Sequence, residues 1–536
     1  MQENKNSIII LTRTVHIAKY EDEKYCGETE KPLKPDRSFR WAFFMLVSLA
    51  WGIALPATPA KNEKAFDSAN ATRALPAKNP AQAKLEALLL ANKYPLANVA
   101  VVVKDLDRDS LLISLNADSM FNPASCSKLL TAAMAFDRLG TNYTFNTAAY
   151  AGSPIPADSG ICRGNFYLKG SGDPYFVVER MWLFVQHLVC VGLKTIEGDI
   201  VVDGSFFDSL SIGPGFDEDD SSHPYVAPVN AASANFNCVS IWMRPGRFVG
   251  APVLVDVLPK AATVKVAVSA LTIAAGRPST CGAATKRDGS RTLVTVSGGL
   301  PLDAGLLVQY KKVWQTWEYT GAMLERLFSD NKIVLKGKVK TGVVPDSLLA
   351  RQPFYAFPSV PLYEAINSMM KVSNNYMAEM IFKTLSAEAD SAPGSWEKAA
   401  ALALSWWKEK KLPGVPKVKN GSGMGDSNRM SGRQMVELLA HVWGQKSYLP
   451  EYLYSLPSAG VDGTLKSRFK NCRLKGIVRA KTGTLNDYGV STIAGYALYQ
   501  DRTVAFAVMF NNCMNRKQMG HWEMQEKILE MVLPEK

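Results

Sequence analysis

The chain has 536 residues, 47% hydrophobic and 21% charged, a balance that excludes a disordered or fibrous protein, and it is too long for one small core. Its formal net charge is +12, and the first 60 residues, with 8 Lys+Arg against 7 Asp+Glu, supply only one of those charges. A body this basic suits an anionic surface such as cell wall, lipid or nucleic acid. With no zinc-finger, RNP-like or Arg-rich run, nucleic acid ranks last and is not expected as a partner.

In chain order, the first informative stretch is "WAFFMLVSLAWGIAL", Trp41 to Leu55. Arg37 and Arg40 precede it, and the small-residue segment "PATPA" follows. This is the order of a secretory signal, with cleavage near Ala57 or Ala60, so residues 1–60 are expected to be leader and signal peptide and the mature protein to be periplasmic. At 15 residues the run is short for a membrane span, which makes an anchored form the lesser alternative. Peripheral membrane contact after cleavage stays open.

"AQAKLEALLLANKY" then reads as a helix, and "NVAVVVKDLDRDSLLISLN" as two strands joined by a polar turn. From about 146 to 345 the texture changes to short strand-like runs between Gly, Pro and Asp turns, which reads as a β-rich insertion. Beyond Pro361 the pattern turns helical, and near the C-terminus "VSTIAGYALY" and "TVAFAVMFN" form a second hairpin closed by the helix "WEMQEKILEMVL". Two such hairpins can share one antiparallel sheet with both termini on one face. The expected architecture is α/β (α+β): a catalytic domain of 61–145 and 346–536, split by an inserted β-rich module at 146–345.

Eight cysteines are scattered without a C-x-x-C pair, and seven remain after signal removal, so at least one thiol stays unpaired in a monomer. Cys238 with Cys281, or Cys162 with Cys190, are the pairs an oxidising compartment could bridge. None of the five histidines is spaced as a metal ligand. Neither a metal site nor a Ser-His-Asp triad is expected.

Chemistry concentrates at "NPASCSKLLTAAMAF". S-x-x-K is a cheap pattern, and it recurs at Ser329, Ser368, Ser395, Ser405 and Ser467. Position separates Ser125 from these: it opens an apolar helix, where free N–H groups and the dipole favour negative charge, and Lys128 returns to its face one turn on. Ser125 can then act as nucleophile, its own N–H helping to hold an oxyanion; the structural alternative is a plain helix N-cap. Without histidine the base must be Lys128, neutral only if burial and a second cation lower its pKa. A polar relay and a further lysine are both present, each with a decoy. S-x-N occurs as Ser373-Asn374-Asn375 and as Ser329-Asp330-Asn331, and K-T-G as Lys481-Thr482-Gly483 and as Lys340-Thr341-Gly342. The decoys stand only 11 residues apart across a helix-to-strand passage, whereas Ser373 lies between two helices and Lys481 opens a strand of the presumed central sheet. The latter pair can wall a cleft whose floor is the Ser125 helix.

The trio S-x-x-K, S-x-N and K-T-G resembles that of penicillin-binding proteins and class A β-lactamases. With "LKGSGDPYF", "GDIVVDGSFFD", "YVAPVNAASANFN", "NGSGMGDSNRMSG", "LPSAGVDGTLKSRF" and "VRAKTGTLND", the chain is similar from about residue 80 onward to the class C low-molecular-mass penicillin-binding proteins, the D-alanyl-D-alanine carboxypeptidase/endopeptidase family S13. The 248 residues between Ser125 and Ser373 fit that family's large insertion. The resemblance implies a serine β-lactamase/D,D-peptidase-like domain with an antiparallel central sheet and a helical subdomain. It implies a catalytic set of Ser125, Lys128, Ser373, Asn375 and Lys481, with Thr482, Gly483 and Thr484 at the substrate, and an oxyanion hole of the Ser125 and Thr484 N–H groups. Substrates would be peptidoglycan stem peptides ending in D-Ala-D-Ala, or D,D-crosslinks, and β-lactams would be covalent inhibitors. Cys126, where the family usually has Thr, and Asn420, where it usually has Asp, are departures outside the trio. The alternatives are a catalytically silent peptidoglycan-binding scaffold and a β-lactamase, which would need a dedicated deacylating group.

Overall fold

In the computed structural model, residues 80–216, 221–390, 393–513 and 520–534 are described; the expected leader and signal peptide lie outside them. Both terminal hairpins enter one sheet. Val99–Asp105 pairs with Ser110–Leu115 and, on its other side, with Thr503–Phe510, which continues through Val490–Leu498 to the edge strand Val478–Leu485, all antiparallel.

Alternation along the strands decides what covers each face. On Thr503–Phe510 the large residues Val504, Phe506, Val508 and Phe510 point to one side, where they pack with Val99, Val101 and Val103 against Leu85 and Leu89 of helix Pro80–Ala91 and Ile528 and Leu529 of helix His521–Val532. The small residues Ala505 and Ala507 point to the other side with Ala494, against the helical half of the molecule. Their size lets helix Gly432–Trp443 lie close, and Ser431 and Gln434 start that helix with a reciprocal capping box. Strands covered on both faces carry near-continuous apolar runs, and every residue of Val99–Asp105 is buried.

The helical half comprises Ser127–Leu139, Leu362–Val372, Asn375–Asp390, Trp396–Glu409 and Gly432–Trp443, sharing one buried cluster. Residues 146–358 build sheets of their own. The largest runs Val339–Thr341, Ile200–Asp203, Phe166–Lys169, Asn146–Ala151, Tyr355–Pro358, parallel across the first three strands and antiparallel beyond. Its buried cluster extends from Ala149 to Phe357 and includes two helices, Val178–Cys190 and Trp317–Asp330. The first departs from a purely β-rich reading of this region: Met181, Phe184, Val185 and Leu188 repeat at helical spacing and are buried. Every described cysteine is a free thiol, so neither candidate bridge is formed. Among the described residues no helix is long and apolar enough to cross a membrane.

Candidate active site

Ser125 does not cap a helix. It sits inside a single tight turn, Ala124–Cys126, that feeds helix Ser127–Leu139, and no side chain caps either element. Ala124 carries a positive φ of 45°, a strained value for a residue with a Cβ, held by the Asn122 side chain accepting from the Ala124 N–H at 2.8 Å. Two glycines make room around this turn. A Cβ on Gly423 (φ +78°) would lie 1.8 Å from the Ala124 carbonyl oxygen, and one on Gly483 would lie 2.9 Å from the Ser125 nitrogen. The K-T-G strand and the "NGSG" loop therefore close on the serine from two sides.

Lys128 is fully buried, its Nζ 3.0 Å from Ser125 Oγ. The amine also donates to Asn375 Oδ1 at 2.7 Å and to the Ser422 carbonyl at 2.8 Å. Both of those partners only accept. A neutral amine has two N–H donors, and using them here leaves its lone pair for the serine hydroxyl. Burial, followed by the positive charge of Lys481, drives the Lys128 pKa well below its ordinary value, in the direction of the neutral form that this geometry suits.

Lys481 is also fully buried. It donates to Ser373 Oγ at 2.8 Å and to the Thr482 carbonyl at 2.6 Å, and burial lowers its pKa to about 8. Ser373 ends helix Leu362–Val372 in the left-handed conformation (φ 58°), which turns the chain into helix Asn375–Asp390 and brings Ser373 and Asn375 to one cleft. That cleft, of about 690 Å³, is walled by Ser125, Ser373, Asn375 and Thr484. Strand alternation splits the remaining predicted residues: Gly483 packs on the serine turn, while the Thr482 hydroxyl donates to Thr464 Oγ1 at 2.8 Å. Cys126 faces inward, its thiol donating to the Lys481 carbonyl at 3.2 Å and pushed up to about 12 by burial.

Sequence reasoning missed the group that fixes the Ser422 carbonyl. Glu379, one turn beyond Asn375 and fully buried, accepts from the Ser422 N–H at 2.8 Å, the Gly421 N–H at 3.0 Å and Trp396 Nε1 at 2.8 Å. Both carboxylate oxygens are thereby engaged, which suits a positioning group rather than a water-activating one. Its signal was the i, i+4 spacing from Asn375. His223 and Tyr225 also reach the cleft, where Asn375 Nδ2 donates to the Tyr225 carbonyl at 3.0 Å and the Tyr225 ring stacks on His223 with centroids 4.9 Å apart. The decoys engage other partners: Lys340 pairs with Asp199 at 2.8 Å, Asp330 with Arg326 at 2.9 Å, and Asn331 accepts from Gln186.

Residues 81–530 match the D-Ala-D-Ala carboxypeptidase 3 (S13) family. The D-alanyl-D-alanine carboxypeptidase of Actinomadura sp. (strain R39) is 29% identical over 428 residues, 77% of each chain. The D-alanyl-D-alanine carboxypeptidase DacB of Haemophilus influenzae is 25% identical over 444 residues, 81% of this chain and 89% of its own. The crystal structure of penicillin-binding protein 4 from H. influenzae superposes with a TM-score of 0.70 at 23% identity, covering 84% of this chain and 97% of that one. A second structure of that protein, holding a β-lactam, gives 0.66 at 23% identity and covers 84% and 98%. The chain belongs to the D-Ala-D-Ala carboxypeptidase 3 (S13) family of serine peptidases, with the fold of penicillin-binding protein 4.

Proposed function

We propose that the protein hydrolyses peptidoglycan stem peptides ending in D-Ala-D-Ala, or D,D-crosslinks, through an acyl-enzyme on Ser125. Residues 61–145 and 346–536 would be its catalytic domain and 146–345 an inserted module. The observation that carries the reading is the buried Lys128 amine 3.0 Å from Ser125 Oγ, with both of its N–H donors spoken for by Asn375 and Ser422. Neutral Lys128 takes the serine proton as Oγ attacks the penultimate carbonyl. The Ser125 and Thr484 N–H groups receive the negative oxygen. Ser373, held by Lys481, relays a proton to the departing D-Ala amine as the C–N bond breaks. Lys481 and the Thr482 and Thr484 region supply the field and hydrogen bonds for the substrate carboxylate, with Gly483 allowing the strand its close approach. Water then hydrolyses the ester, and no cofactor takes part. A β-lactam enters the same first step and stays bound; a structure of the H. influenzae relative is complexed with a β-lactam, which supports this reading. Periplasmic action fits substrate and basic charge together.

Intact-mass measurement and peptide mapping after incubation with benzylpenicillin test this directly. One adduct per chain, on Ser125 and lost in Ser125→Ala, is the expected result. A folded protein without an adduct would favour the silent scaffold, and rapid release of hydrolysed drug would favour a β-lactamase.

A further inference from the structure

A second cleft, of about 470 Å³, lies in the inserted segment. It is built by the loop after strand Ile200–Asp203, the end of strand Val339–Thr341 and the approach to helix Trp317–Asp330, with Arg287 beside them. Nothing in the catalytic reading uses it, yet its lining is chemically pointed. Trp314 and Trp317, both half-buried, supply apolar ring surface, and Lys312 Nζ lies 4.0 Å from the Trp314 ring centroid.

Beneath the rings lie buried donors without partners among the described residues, and one cation stands exposed beside them. Gln315 is 2% exposed; its Oε1 accepts from Thr292 at 2.6 Å, but its amide nitrogen has no partner among the described residues. Trp314 Nε1 is likewise buried and unpartnered. Arg287 is exposed and makes no ion pair among the described residues. The helix that starts at Trp317 has no side-chain cap at Thr316, so the N-terminal N–H groups of a 14-residue helix add to the set. Buried donors left unpaired are costly, and native proteins normally supply them with a partner.

A ligand complementary to this lining has an apolar face and several oxygen acceptors. Glu318 and Asp208 stand in the same walls, which disfavours a phosphate or nucleic acid. An N-acetylated amino sugar fits: its ring face packs on indole, and its acetamido, ring and linkage oxygens accept hydrogen bonds. The stretch from Ser205 to Gly215 reaches both clefts: Ser205 and Ser211 line the second and Gly215 the first. The intervening chain is fastened to the helical half by Lys383 donating to Asp208 at 2.6 Å and Asn420 to the Pro214 carbonyl at 2.7 Å.

We propose that this cleft binds the N-acetylated glycan strand of peptidoglycan, with Trp314 and Trp317 against the sugar rings and Arg287 donating to its oxygens. The proposal rests on the D,D-peptidase reading and adds to it a hold on the polymer separate from the stem peptide. Three measurements on the purified protein test it: calorimetric titration with an N-acetylglucosamine tetrasaccharide, hydrolysis of a soluble D-Ala-D-Ala peptide, and hydrolysis of intact sacculi. Arg287→Ala and Trp317→Ala should each weaken tetrasaccharide binding and sacculus hydrolysis by about tenfold while leaving soluble-peptide hydrolysis within about twofold of wild type. Absence of tetrasaccharide binding by the wild type, or variants that process sacculi as the wild type does, would overturn it. Should Trp317→Ala fail to fold, the exposed Arg287 carries the test. Loss of soluble-peptide hydrolysis by the wild type would strike the peptidase reading, and the sugar titration would still report on the cleft.

Discussion

Two parts of this chain carry the same letters. Ser373-Asn374-Asn375 with Lys481-Thr482-Gly483 stands in the cleft beside Ser125, and Ser329-Asp330-Asn331 with Lys340-Thr341-Gly342 stands among the separate sheets of residues 146–358. Lys481 is fully buried and holds Ser373, whereas the Lys340 side chain is half-exposed and pairs with Asp199 at the surface. Ser373 occupies a left-handed position between two helices, while Ser329 lies within the last turn of one. A lysine in water is a cation with a screened partner. Removed from water and set against a hydroxyl, it becomes part of a proton path. Burial and backbone conformation, rather than the letters, separate the two sets.

The sharpest way to break that comparison is to remove each lysine in turn. Lys481→Ala should lower the rate of acylation by benzylpenicillin by roughly 10²- to 10³-fold, because it takes away both the positive field and the group holding Ser373. Lys340→Ala should stay within about twofold, since an exposed ion pair contributes little. Stopped-flow acylation rates decide it, and a large effect of Lys340 would mean that the motif assignments are reversed.

The glycines extend the comparison to shape. A Cβ on Gly483 would meet the backbone at Pro123 O (2.8 Å) and Ser125 N (2.9 Å) and the Cβ of Ala124 (2.9 Å), so Gly483→Ala must push the K-T-G strand off the serine turn. A Cβ on Gly342 would meet only the Val201 side chain, at 2.8 Å. Gly483→Ala should therefore cost about 1–3 kcal/mol of stability and slow acylation by roughly tenfold or more, and Gly342→Ala should do neither to that extent. Thermal melts and acylation rates of the two variants side by side check this.

Much of this was legible before the fold was seen, for physical reasons that differ by element. The terminal hairpins announce themselves because a strand buried on both faces needs a near-continuous apolar run, and "VAVVVKD" and "TVAFAVMF" are such runs. Ser125 and Lys128 are readable because one helical turn joins them. Ser422 and Tyr225 were invisible as ligands, since each acts through its carbonyl, a group every residue carries. Glu379 left only its i, i+4 spacing from Asn375 as a signal, because a buried acid among helix residues looks like any surface acid until its partners are known. The second cleft was out of reach too: Arg287, Trp314 and Trp317 lie up to 30 residues apart and meet only in the tertiary fold.

The smallest effect is the most diagnostic, because it reads the buried lysines in the unmodified protein. Lys128 must be neutral to accept the serine proton, and burial with Lys481 nearby holds its pKa well below the usual lysine value; acylation should rise with pH until that proton is lost. Lys481 must remain a cation, and burial brings its pKa to about 8, so the rate should fall to half its plateau near pH 8. Cys126, between them, is pushed up to about 12 and stays protonated throughout. In Lys481→Arg the guanidinium cannot lose its proton in this range, so the alkaline limb should disappear while the acid limb stays, whatever the drop in the plateau. An alkaline limb that survives unchanged in Lys481→Arg would assign it to another group and remove the claim that the two buried lysines divide the labour, one as base and one as fixed charge.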